Sequence, residues 1–168
     1  MKKRLVAAFA FTLIALVSCG GSSDPKALTD DGYADLGSGK YPEAVATFEK
    51  ALSALGNDPS KPEWMRAKMG LIQARTQTDA PRAASEFLEL AKGNPSRVTD
   101  KEFSIVGGRL GEAKKLDEAV AVLKAGMEAH PESPHLQVLM KQLGDMAKSS
   151  GSSEALKNLK GLGYVGGD

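Results

Sequence analysis

The chain has 168 residues, 42% of them apolar and 26% charged, with 22 Lys and Arg against 21 Asp and Glu. That length suffices for one domain with a modest core. Three of the cations (Lys2, Lys3 and Arg4) lie at the very start; the rest of the chain is mildly acidic and poor in aromatic residues, which argues against nucleic-acid binding.

The first segment reads as an address. Met1-Lys2-Lys3-Arg4 is a basic stretch, and Leu5 to Val17 is an apolar run interrupted only by Thr12. At about 1.5 Å per residue such a run spans roughly 20 Å as a helix, short of the roughly 30 Å hydrocarbon core of a bilayer. Residues 1–18 are therefore expected to be removed after export. Leu16-Val17-Ser18-Cys19 closes the run, and these four residues resemble the lipobox of bacterial lipoproteins. The resemblance implies that the Cys19 thiol takes a diacylglyceryl group, that the signal is cut before it, and that the new amine is acylated. Cys19 is the only cysteine, so no internal disulfide can form. Several acyl chains at about 0.8 kcal/mol per buried CH₂ make a stable anchor. Gly20, rather than Asp, follows the cysteine, and in enteric-type lipoproteins that implies the periplasmic face of the outer membrane. Residues 19–24 form the lipidated Cys and a Gly/Ser tether.

From Pro25 onward apolar residues recur at helical spacing with no strand-like alternation. The spacing predicts helices near 25–37, 42–55, 62–77, 80–92, 100–113, 117–129, 134–148 and 154–160. Asp24, Asp79, Thr99 with Glu102, and Ser133 before Pro134 are expected caps, and Gly56, Gly93 and Gly161 expected left-handed terminators. Pro59, Pro95 and Pro131 are each 36 residues apart. A period in the thirties with two helices per unit points to a solenoid. Units near 25–58, 62–95, 99–131 and 134–160 pair small residues (Gly32, Ala44, Ala51, Ala83, Gly107, Ala119, Gly126) with large ones (Phe48, Phe87, Phe103, Val106, Leu110, Leu123) at matched places. This set resembles the tetratricopeptide repeat. The resemblance implies an all-α, right-handed solenoid of about three to four helical hairpins, and the Gly-rich residues after them read as a mobile tail over 161–168.

Little in the sequence suggests catalysis. His130 and His135 are five apart in a Pro-flanked turn, the wrong spacing for metal ligands on one helix face. No HExxH or GxSxG motif is present. Gly161-Leu162-Gly163-Tyr164-Val165-Gly166 spells GxGxxG, yet no strand precedes it to make a dinucleotide site; Leu162, Tyr164 and Val165 are candidates to fold back over the last hairpin. No enzyme activity, metal or cofactor is expected.

What remains is a surface. The repeat resemblance places ligands on the concave face of the first helices, and carries Tyr33, Met65, Lys68, Ile72, Arg75, Lys101, Gly108, Gly111 and Gly144 onto it. Lys68 and Arg75, two turns apart, are either a clamp for a carboxylate or phosphate or unrelated solvent-facing cations; the Asn usual in such clamps is missing. Each glycine costs about 1 kcal/mol in a helix interior relative to Ala. Gly108, Gly111 and Gly144 are thus either a floor bare of side chains or tolerated defects. The leading expectation is a periplasmic adaptor that binds an envelope protein or peptide; the alternative is a lipoprotein that self-assembles through its solenoid ends.

Overall fold

The computed structural model describes residues 24–165. The expected signal segment, Cys19, the expected tether before Asp24 and the last three residues lie outside them.

Among the described residues there are eight α-helices and no strand: α1 (Pro25–Gly37), α2 (Tyr41–Ala54), α3 (Pro62–Thr78), α4 (Ala80–Gly93), α5 (Asp100–Glu112), α6 (Leu116–Ala129), α7 (Pro134–Ser150) and α8 (Ser153–Gly161). Every predicted helix is present, with ends shifted by no more than two residues. Local chemistry sets the starts. The Asp24 carboxylate accepts from the Lys26 N–H (3.2 Å), and Asp79 accepts from the Arg82 N–H (3.3 Å). At α5 the Glu102 carboxylate accepts from both the N–H (2.8 Å) and the hydroxyl (2.6 Å) of Thr99. Ser133 departs from expectation. Its hydroxyl leaves the α7 backbone uncapped and donates to the Asp100 carboxylate (2.7 Å), tying the start of α7 to the start of α5. Of the expected terminators only Gly56 is left-handed (φ 69°). Gly93 and Gly161 are the last residues of their helices, and the chain turns beyond them.

Consecutive helices pair into hairpins and the hairpins stack. α1, α3, α5 and α7 form one row of neighbours; α4, α6 and α8 form a second. The result is a solenoid-like all-α stack. Small residues let the helices approach. A methyl on Gly32 would come within 2.7 Å of the Phe48 ring, and one on Gly126 within 2.8 Å of Phe103. Ala44, Ala83 and Ala119 are fully buried at the crossings. Phe87 and Phe103 meet edge to face with centroids 5.0 Å apart.

The core is in two parts. Leu36, Phe48, Leu52, Leu55, Leu71 and their neighbours fill the first, from α1 to α3. The second runs from Met69 and Ile72 in α3 through Phe87, Phe103, Leu110 and Leu123 to Leu159. Among the described residues the backbones of α2 and α4 stay apart, although α4 meets α6 and α6 meets α8. No described helix is long and apolar enough to cross a membrane.

Candidate functional site

The α2–α4 gap is bridged by charge. The Arg75 guanidinium, whose residue is only 4% exposed, donates to Glu86 on α4 (2.6 Å) and to Glu49 on α2. Lys68 (2.8 Å) and Arg82 (2.8 Å) also donate to Glu86. Burial pushes the Glu86 carboxyl up, but the bonds from Lys68 and Arg82 and the Arg75 charge outweigh it and leave the group below its ordinary value. Lys68 and Arg75 therefore hold carboxylates of this chain, and neither the free clamp nor the solvated pair expected from the sequence is found.

The cause is the rotational phase of α3. Lys68 and Arg75 reach Glu86 on α4, while Ile72 is fully buried in the core that α4 helps to form. Gly70 faces the Phe48 ring of α2, where any side chain would overlap it. Arg66 reaches back to Asp30 (2.7 Å) on α1. A single residue of phase turns a helix by about 100°, enough to carry the expected groove residues of α3 inward. Ile72 and Arg75 are thus corrected to interior residues, and half-buried Met65 packs against the core. Tyr33 is occupied as well. Its hydroxyl donates to the Arg66 carbonyl (3.0 Å), its ring stands edge-on to Phe48 (5.0 Å), and the Arg66 guanidinium lies 5.0 Å above it. Burial raises the Tyr33 hydroxyl pKa against the opposing charge of Arg66.

The three glycines separate. A methyl on Gly111 would meet Leu143 of α7 at 2.9 Å, so this glycine permits helix packing. One on Gly144 would stand 3.2 Å from the Tyr164 carbonyl oxygen and 3.3 Å from Val165, so the segment after α8 covers it. Only Gly108 has nothing within 4 Å of where its Cβ would be. A shared floor of three glycines is therefore replaced by one open position.

Gly108 belongs to a trough between α5 and α7. The upper part, about 720 Å³, is lined by Asp100, Lys101, Ser104, Ile105, His135, Val138, Leu139 and Gln142. Gly108, Gly111, Glu112, Leu143 and Met146 continue it toward the other end. Val138 is 56% exposed, and Met146 is exposed as well. Apolar residues thus form the walls, with polar groups at the ends: Asp100, Lys101 and His135 at one, Glu112 at the other. The Ser133 hydroxyl holds the Asp100 carboxyl below its ordinary value, so this end keeps an anion beside Lys101. Of the sequence-derived candidates, Lys101, Gly108 and Gly111 lie here. Ile105, Val138, Leu139 and Met146 were not foreseen. Val138 carried a signal, since it lies off the buried stripe of Leu136, Met140, Leu143 and Ala147.

His130 packs edge-on against Phe103 (5.9 Å) while His135 lines the trough, and no cluster of metal-ligating side chains occurs among the described residues. Comparison of the chain with protein-family models, curated proteins and solved structures finds no match.

Proposed function

We propose that this chain is a lipid-anchored envelope interaction module built of tetratricopeptide-like hairpins, and that it receives a peptide or helix of a partner protein in the α5–α7 trough. The observation that carries the reading is the trough: apolar walls of Ile105, Val138 and Leu139 stand beside a helix position, Gly108, with open space above it. An exposed apolar concavity with a polar rim is the usual form of a protein-recognition surface. The anchor is the lipobox at Leu16–Cys19, with the periplasmic face of the outer membrane as the proposed location.

A photo-crosslinking residue at Val138 tests the reading in living cells, with Glu89 on the exposed side of α4 as control. The Val138 probe is expected to give a discrete adduct that the Glu89 probe does not, and Gly108→Leu is expected to abolish it by filling the floor. Identical adducts from both probes, or an adduct indifferent to Gly108→Leu, overturn it. The anchor is tested separately: Cys19→Ser removes the thiol and is expected to eliminate incorporation of labelled fatty acid.

A further inference from the structure

In the first and third hairpins a bare position on the first helix is filled by a bulky side chain from the second. Gly32 is filled by Phe48, with a methyl on the glycine meeting the ring at 2.7 Å, and Gly107 by Leu123, at 2.6 Å from its Cγ. Both Phe48 and Leu123 are fully buried. The bare position of the last hairpin is Gly144, but its second helix is short. α8 has 9 residues where α2, α4 and α6 each have 14.

The segment after α8 takes over the missing part. Gly163 adopts a left-handed conformation (φ 81°) that turns the chain back. The Tyr164 N–H donates to the Leu159 carbonyl (3.0 Å), and the Tyr164 hydroxyl reaches the Met127 sulfur of α6 (3.5 Å). Tyr164 and Val165 both pack against the main core and fill the hollow above Gly144. The fit is looser than in the earlier hairpins. A methyl at Gly144 would stand 3.2 Å from its nearest neighbour, and Tyr164 and Val165 are only half-buried. Where Phe48 and Leu123 belong to fourteen-residue helices, this filler is a three-residue strap held by few bonds.

We propose that Gly163–Val165 is a displaceable plug, and that its release lets two copies of the chain join through the α6–α7–α8 face it covers. The surface under it is apolar, formed by Met127 and Leu159 around the bare Gly144, and Leu162 beside it is already 36% exposed. The rim carries both signs on one helix face, Lys124 and Glu128 standing 4.0 Å apart. A surface with a cation and an anion one turn apart is self-complementary under a two-fold axis, each Lys124 facing the other copy's Glu128. A second copy therefore matches this face in charge.

The test uses the full chain in mild detergent, comparing wild type with Gly144→Leu, which fills the hollow and expels the strap. Amide hydrogen exchange by mass spectrometry reports the strap, and light scattering after size exclusion reports the number of copies. In Gly144→Leu, exchange at the Tyr164 amide is expected to quicken about tenfold or more, as a local opening that spares α1–α3. The variant is expected to shift from one copy toward two as concentration rises, with wild type remaining at one. Adding Lys124→Glu to Gly144→Leu sets like charges across the axis and returns it to one copy; adding Glu128→Lys as well restores two. Exchange no faster than wild type overturns the plug, and faster exchange with one copy at every concentration overturns the joining of copies. Should Gly144→Leu fail to fold, Tyr164→Ser with Val165→Ser removes the filler without introducing a clash, and the same outcomes apply.

Discussion

Gly107 and Gly108 are neighbours in one helix, and the same substitution is expected to act on them with opposite sign. Each lies in the interior of α5, where replacing Gly by Ala gains about 1 kcal/mol of helix propensity. At Gly108 that gain stands alone, because the new methyl meets nothing within 4 Å; Gly108→Ala is expected to stabilise by about 0.5–1 kcal/mol. At Gly107 the methyl would come within 2.6 Å of the Leu123 Cγ, and Leu123 is fully buried. Overpacking of that kind costs about 1–3 kcal/mol, which meets or exceeds the propensity gain. Gly107→Ala is therefore the less stable of the two by about 1–3 kcal/mol, the size of the overpacking cost. At this chain length about 1 kcal/mol moves the melting midpoint by roughly 2–4 °C, so calorimetry or thermal circular dichroism resolves the pair. A Gly107→Ala variant as stable as Gly108→Ala would refute the packing argument at this crossing.

Three further outcomes follow from the core and the seam. Phe48→Ala is expected to cost about 3–5 kcal/mol in urea titration, near the upper value because Gly32 and Gly70 on either side of the ring offer no side chain to fill the cavity. Glu86→Ala leaves the buried Arg75 with only the exposed Glu49 and is expected to cost about 3 kcal/mol, whereas Arg75→Met, which removes the buried charge itself, is expected to change stability by less than about 1 kcal/mol. Because the Glu86 carboxyl lies below its ordinary value in the folded chain, its ionised form adds stability above the unfolded carboxyl value near about 4.3, and that contribution is lost as pH falls through the lower folded value. The stability gap between wild type and Glu86→Gln is therefore expected to be constant near neutrality and to close only in acid; a gap that closes between pH 6 and 8, roughly the range of His rather than of carboxylates, would point to a different group.

The helices were legible because their ends are written in local chemistry. Proline at the first turn, a capping carboxylate at Asp24 or Asp79 and the Thr99–Glu102 pair each fix a boundary without tertiary help. Small residues paired with large ones at fixed spacing likewise announced the contacts of Gly32 with Phe48 and Gly107 with Leu123. The rotation of α3 was not legible. Its sequence offers apolar residues over most of its surface (Ala67, Met69, Leu71, Ile72 and Ala74 are all buried), so periodicity could not select a face, and the longer connection from α2 removed the phase that Pro59 would have supplied. The glycines show the same limit. Gly108, Gly111 and Gly144 look alike as residues, and what distinguishes them is the arrival of Leu143 or Tyr164 from elsewhere in the chain. The trough was missed for a related reason: Ile105 and Val138 are 33 residues apart in the chain, and only packing of α5 against α7 brings them onto one surface.

The charged seam and the apolar trough lie at different places in the stack because α3 serves two cores at once. Its Leu71 and Ala74 belong with α1 and α2, its Met69 and Ile72 with the helices that follow. A helix buried on both sides has little surface left for a ligand, which is why Ile72 and Arg75 of α3 lie inside while Lys101 and Gly108 of α5 face the trough. Where the backbones of α2 and α4 stay apart, Arg75 joins them through Glu49 and Glu86. Ion pairs demand geometry but add little net stability after desolvation, so this joint fixes orientation more than it adds strength. Among the described residues the first hairpin is thereby joined to the later helices through α3 and this seam. Hydrogen exchange is expected to be faster in α1 and α2 than in α5 and α6, whose core is continuous on both sides. Equal protection across the two would mean that α3 alone, through its two buried faces, makes the whole stack a single cooperative unit.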